Sequence, residues 1–152
     1  MTGNGKDTAG EQLKLRSRMS ELAQIPPWIE RLAMRHTIPA STQFAMNLCL
    51  EEALSNIVQH GYSGKPDHPI AVHFASPRDD YYVLVVEDEA PPFNPVDAPE
   101  LPAMSLVDET QIGGQGIRLL RRFADALEYQ AMPAGNRLSI GFSGAKSAIA
   151  KD

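Results

Sequence analysis

Apolar and polar positions along the chain follow two periodicities, and their order predicts alternating strands and helices. In EQLKLRSR, Leu13 and Leu15 alternate with polar neighbours, the period of a half-buried strand. After Ser20, the segment ELAQIPPWIERLAMRHT carries Ile29, Leu32 and Ala33 at helical spacing, with Pro26 and Pro27 near a first turn. The clearest helix is predicted over residues 42–60, with Ser41 or Thr42 as its N-cap and Gly61 as a left-handed C-cap. Met46, Cys49, Leu50, Ala53, Leu54, Ile57 and Val58 form its apolar stripe, and Glu52 and Asn56, four positions apart, project along one edge of that stripe. Two β-branched and aromatic runs follow, IAVHFAS and YYVLVVED, joined by PRDD as a hairpin. The second run stays nearly all apolar until Glu87 and Asp88.

Residues 89–112 lose periodicity altogether, and a stretch of that length in a small domain is expected to be a functional loop or lid. Pro91, Pro92, Pro95, Pro99 and Pro102 all lie in it, and their fixed backbone angles make a stiffer lid than glycine would. GGQGIRLLRRFADAL then reads as a glycine-rich turn opening a helix, and LEYQAM and NRLSIGFS, separated by PAG, as a closing strand pair. The expected organisation is a disordered terminus over 1–10, one domain over 11–143 and a frayed tail over 144–152.

Composition narrows the function classes. With 152 residues, 43% hydrophobic and 22% charged, the chain has the make-up of a globular protein and not of a coiled coil, collagen or disordered chain. A net charge of −5 argues against a broad nucleic-acid footprint, and Arg118, Arg121 and Arg122 read as a solvated basic face. The single Cys49 allows no disulfide within the chain and no cysteine-rich zinc site. His36, His60, His68 and His73 lack metal-ligand spacing. No apolar run reaches the length of a membrane span and the first residues lack a signal-peptide core, so the expected location is cytoplasmic.

Three motifs carry the chemistry: Glu52 and Asn56 in EALSN, Asp88 in EDEAPPF, and Gly113, Gly114 and Gly116 in GGQGI. A buried strand-end carboxylate must reach water or a partner, and glycines at a helix start expose amides to an anion. The glycines fit neither a dinucleotide fingerprint, whose spacing Leu119 breaks, nor a P-loop, since GK[ST] is absent. In this order, EALSNIVQHGY, VVEDEAPPFNP and GGQGIRLLRRFAD resemble the Bergerat-type ATP-binding fold of the GHKL ATPases. Within it they look most like the anti-sigma-factor serine/threonine kinases of bacterial partner-switching systems, over nearly all of the predicted domain.

The resemblance implies the fold class, an α/β (α+β) two-layer sandwich with a mixed, largely antiparallel sheet and helices on one face. It implies ATP and Mg²⁺ as ligands, Asn56 as the magnesium ligand and Glu52 as the general base toward a protein hydroxyl. It implies Asp88 as the acceptor for the adenine amine, Gly113, Gly114 and Gly116 as the phosphate cradle, and Ile117 packed near the nucleotide. Ala90 stands where the family's D-x-G carries glycine, which puts a methyl group near the base and bears on ATP affinity. The implied partners are a STAS-domain anti-anti-sigma protein and a sigma factor or analogous regulator, with dimerisation common in this branch. Two other readings stay open at the level of sequence: a nucleotide-binding partner-switching module without kinase activity, and a histidine-kinase-like ATPase domain acting in trans.

Overall fold

The computed structural model describes residues 11–92 and 112–144. Five strands form one sheet in the order β1-β2-β3-β5-β4: β1 (Gln12–Arg16), β2 (Pro69–Arg78), β3 (Tyr81–Asp88), β4 (Ala126–Met132) and β5 (Gly135–Ser143). Every pairing among the described residues is antiparallel. The expected two-layer α/β sandwich is therefore present, without the parallel pairing that a mixed sheet would add. The two hairpins form where the turn residues predicted them: Asp79 and Asp80, the latter left-handed at φ 59°, between β2 and β3, and Pro133 and Ala134 between β4 and β5.

Register explains which side chains share a face. Leu13, Val72, Val86, Leu138 and Tyr129 line up across the sheet, as do Phe74, Leu84, Ile140 and Leu127. These rows form the floor of the core. The opposite face carries Lys14, Ala71, Glu87, Arg137 and Gln130 in one row, where Glu87 meets the Arg137 guanidinium at 2.7 Å and His73 at 3.3 Å. Burial opposes ionisation of Glu87, but those two partners outweigh it and hold its pKa below the usual glutamate value.

Among the described residues three α-helices cover the apolar face: α1 (Ile25–His36), α2 (Ala40–Asn56) and α3 (Ile112–Phe123). A 3₁₀ turn, Met19–Gln24, leads into α1, whose first positions hold Pro26 and Pro27, where a missing N–H costs no helical bond. Trp28, Ile29 and Leu32 of α1, Met46, Cys49, Leu50 and Leu54 of α2, and Leu120 of α3 are buried against the sheet. Each such large side chain contributes about 1.5–3 kcal/mol of burial free energy. No helix among the described residues is long and apolar enough to cross a membrane.

The helix predicted over 42–60 differs at both ends. It begins at Ala40 with Pro39 as its N-cap, because Pro39 is already extended (φ −60°, ψ 152°) and its carbonyl accepts from Gln43 N–H at 2.9 Å. Thr42 lies inside the first turn and is buried. At the other end α2 passes at Ile57 into a π-helical turn, Ile57–Gly61, in which Tyr62 N–H reaches back five residues to the Ile57 carbonyl at 2.8 Å. Gly61 is not left-handed; the left-handed residue nearby is Ser63, at φ 54°, followed by Gly64 at φ 77°. The glycine-rich segment differs too: Gly113, Gly114 and Gly116 lie within α3, which starts at Ile112, and not in a turn before it. Residues 1–10 and 145–152, and the predicted lid from Phe93 onward with Pro95, Pro99 and Pro102, lie outside the described residues.

Candidate functional site

At one end of the sandwich the last turn of α2, the end of β3 and the start of β5 enclose a recess lined by Asn56, Ile57, Gly61, Asp88, Ala90 and Asn136, with Val86, Leu120, Tyr129 and Leu138 among its apolar walls. The recess is narrow, about 40 Å³, room for one or two waters. Of the residues singled out in the sequence, Asn56, Asp88 and Ala90 meet here. Glu52 lies one turn back on α2, half-buried and outside the lining. The side chain of Ile117 lies outside the description.

Asn56 occupies the recess because helical spacing puts it one turn beyond Glu52, beside the apolar stripe that faces the sheet. Only 6% of it is exposed. Three buried side-chain oxygens among the described residues lack a hydrogen-bond partner, those of Thr42, Asn47 and Asn56, and of these only Asn56 Oδ1 belongs to the recess. Leaving a buried amide oxygen unpaired costs about 1–3 kcal/mol. An oxygen held in that state is a donor atom for a hard cation such as Mg²⁺, so the residue present fits the ion that the sequence motif implies.

Glu52 is raised above the usual glutamate pKa, chiefly by burial and secondarily by the charge of Glu51. Asp88 is raised for the first of these reasons. Desolvation dominates, against the hydrogen bonds that Asn136 and the Ala90 backbone donate, and the charge of Glu89 adds to the rise. Its Oδ1 accepts from Ala90 N–H and from Asn136 Nδ2, both at 2.8 Å. The turn after β3 is held from a second side by Tyr62, whose hydroxyl accepts from Glu89 N–H at 2.7 Å and donates to the Pro69 carbonyl at 2.8 Å.

Ala90 replaces the expected glycine without backbone strain, since it has no positive φ. Its methyl group lies against Gly61 instead: a Cβ built on Gly61 would sit 3.2 Å from the Ala90 Cβ. The glycine predicted as a helix cap thus serves as space for Ala90. Gly135 is needed for a different close approach, because a Cβ there would fall 1.8 Å from the Asp88 carbonyl oxygen.

Sequence reasoning missed Tyr62, Tyr129, Gly135 and Asn136. The one signal that could have found Asn136 and Gly135 is the pairing of the two runs VVED and GNRL, since Asp88 and Asn136 are register partners across β3 and β5. Gly113 and Gly114 fall in the first turn of α3, where the first four N–H groups have no helical acceptor and the dipole favours an anion, and Gly116 follows as the fifth helical residue.

The chain matches the family described as "Histidine kinase-like ATPase domain" over residues 15–142. It is 36% identical to the serine/threonine-protein kinase BtrW of Bordetella bronchiseptica over 114 residues, covering 74% of this chain and 79% of that protein. An anti-sigma F factor of Halalkalibacterium halodurans is 24% identical over 112 residues, covering 74% of this chain and 68% of its own. In three dimensions the chain is similar to the histidine kinase domain of a blue-light activated histidine kinase from Erythrobacter litoralis, with a TM-score of 0.54 at 16% identity over 85% of this chain and 62% of that one. That likeness concerns the fold. With the motif order, the recess and the match over residues 15–142 all in agreement, the chain belongs to the histidine kinase-like ATPase family.

Proposed function

We propose that the chain is an ATP-dependent protein serine/threonine kinase of the partner-switching type, acting on a small STAS-domain antagonist and holding a sigma factor or analogous regulator once that antagonist is modified. The observation that carries the reading is the buried, unpartnered Oδ1 of Asn56 in the same recess as the carboxylate of Asp88. It supplies an oxygen for a cation at one wall and an acceptor for an exocyclic amine at the other. The kinase and anti-sigma names of the relatives support the choice of reaction within the family.

Asp88 selects adenine, since a carboxylate accepts from the adenine amine and repels the carbonyl that guanine presents there. Asn56 holds Mg²⁺, which when bound would offset the charge of the phosphates. The first turn of α3, with Gly113 and Gly114, offers backbone amides to phosphate oxygens, and Gly116 completes the cradle by bringing no side chain into their way. Glu52 takes the proton from the serine or threonine hydroxyl that attacks the γ-phosphate, and its raised pKa makes it a better acceptor than an exposed glutamate. Release of ADP completes the balance. Ile117 packs beside the nucleotide in this reading, and dimerisation of the chain belongs to the same proposal.

The test is transfer of label from γ-labelled ATP to a STAS-domain protein encoded beside this one. Glu52→Ala is expected to lower transfer by at least about 100-fold while leaving ATP affinity largely intact. Wild-type protein that binds ATP but labels no serine or threonine of that partner sinks the kinase reading.

A further inference from the structure

Asn136 stands 48 residues from Asp88 in sequence and directly opposite it in the sheet. Its side chain is buried, and its two amide hydrogens face three acceptors: Asp88 Oδ1 at 2.8 Å, the Ala90 carbonyl at 3.2 Å and the Pro91 carbonyl at 3.2 Å. Its oxygen accepts from the Tyr129 hydroxyl at 2.5 Å. The orientation of the amide is fixed by these neighbours. Flipping it would aim the amide oxygen at a carboxylate and two carbonyls and its NH₂ at the Tyr129 hydroxyl that donates to it. Tyr129 is half-buried on the neighbouring strand β4 and lines the same recess.

We propose that Asn136 and Tyr129 are a positioning pair that aims Asp88 and fastens the turn carrying Ala90 and Pro91, so that the adenine selectivity of the site depends on two residues outside its three motifs. Asp88 Oδ1 is engaged by two donors from the protein, which leaves Oδ2 as the oxygen offered to a ligand. Which oxygen is offered, and at what angle, follows from the Asn136 amide, and the amide follows from Tyr129. The same amide binds the carbonyls of Ala90 and Pro91, the first residues of the chain leaving β3, and so ties the root of that segment to β5. Gly135 makes the arrangement possible by letting β5 start in contact with the Asp88 backbone.

This inference rests on the reading of Asp88 as the adenine acceptor, and the experiment separates the two. Affinities for ATP and for inosine triphosphate, which carries a carbonyl in place of the adenine amine, are measured by calorimetry on the full chain for wild type, Asp88→Asn, Asn136→Leu and Tyr129→Phe across a pH series. Thermal melts confirm that each variant folds. Wild type is expected to favour ATP, and Asp88→Asn to lose that preference. Asn136→Leu and the milder Tyr129→Phe are expected to weaken ATP by about tenfold while changing inosine triphosphate little. In Asn136→Leu the pH below which ATP binding is lost should move upward, because Asp88 loses a donor that favours its ionised form, and in Tyr129→Phe it should move the same way by less, because the Asn136 amide is loosened but still present. Should Asp88→Asn abolish the preference while Asn136→Leu and Tyr129→Phe keep both the wild-type ratio and the wild-type pH profile, the positioning role is wrong and the adenine assignment stands. Unchanged selectivity in Asp88→Asn overturns both. Because Tyr129→Phe removes a single hydroxyl, it remains informative if Asn136→Leu fails to fold.

Discussion

Glu52 carries its charge under two pressures that act in one direction, burial and then the neighbouring charge of Glu51. In the role proposed for Glu52 a general base works only when ionised, so phosphotransfer should fall as pH drops through this raised pKa. Glu51→Gln removes one of the two pressures, lowers the pKa of Glu52 and is expected to move the acid limb of the rate profile to lower pH. An unmoved limb in initial-rate measurements would contradict the role. Asp88 has the same sign of shift and a different consequence. A carboxylate whose folded pKa lies above its unfolded one favours the fold when protonated, and that contribution is lost as pH rises through the folded pKa. Asp88→Asn should therefore melt higher than wild type at neutral pH, with the gap closing toward acid, while the preference for ATP over inosine triphosphate is lost. Thermal melts over a pH series decide it. Cys49, fully buried and pushed up to about 12 by desolvation first and Glu52 second, should react with thiol reagents only through unfolding. Labelling as fast as that of a free thiol in native buffer would contradict its burial.

At the scale of elements, two glycines mark contacts on which the site depends. Gly135→Ala places a methyl group on the Asp88 carbonyl and should cost at least about 1–3 kcal/mol, read as a lower urea midpoint. Gly61→Ala meets Ala90, and the Ala90→Gly change should recover part of that loss, since the two substitutions address one contact; an additive double-mutant cycle would show that they do not. Neither role was legible in the sequence. Gly61 reads as a helix cap because glycine commonly ends helices, yet here the helix widens into a π turn and the glycine is spent on proximity. The strands, by contrast, were legible, because alternation such as that of Ile70, Val72 and Phe74 states directly which face is buried. Helix ends were less so, since Pro39 caps α2 by backbone conformation and no side-chain bond marks it. Asn136 and Tyr129 escaped the motif reading for a topological reason: Asn136 meets its partner Asp88, and Tyr129 is linked to Asp88 through Asn136, only when β5 lies between β3 and β4.

Over the whole molecule, the helices cover one sheet face, and the recess opens where α2 and β3 end together, so its lining comes from elements far apart in sequence. The core that holds this geometry includes Leu50, Leu54, Leu84 and Ile140, none exposed to solvent. Their burial is what keeps an unpaired amide oxygen and a desolvated carboxylate in place, at a cost in stability that a ligand would relieve. Motif order alone pointed to the family and to Asn56 and Asp88; what it could not supply was the state of those two groups, which only packing creates. The most direct measurement of the central claim is the Mg²⁺ dependence of ATP affinity by titration calorimetry, in wild type and in Asn56→Ala. If Asn56 Oδ1 holds the cation, wild type tightens when Mg²⁺ is added and Asn56→Ala binds ATP with the same affinity with or without it. A full Mg²⁺ effect in Asn56→Ala would contradict the account.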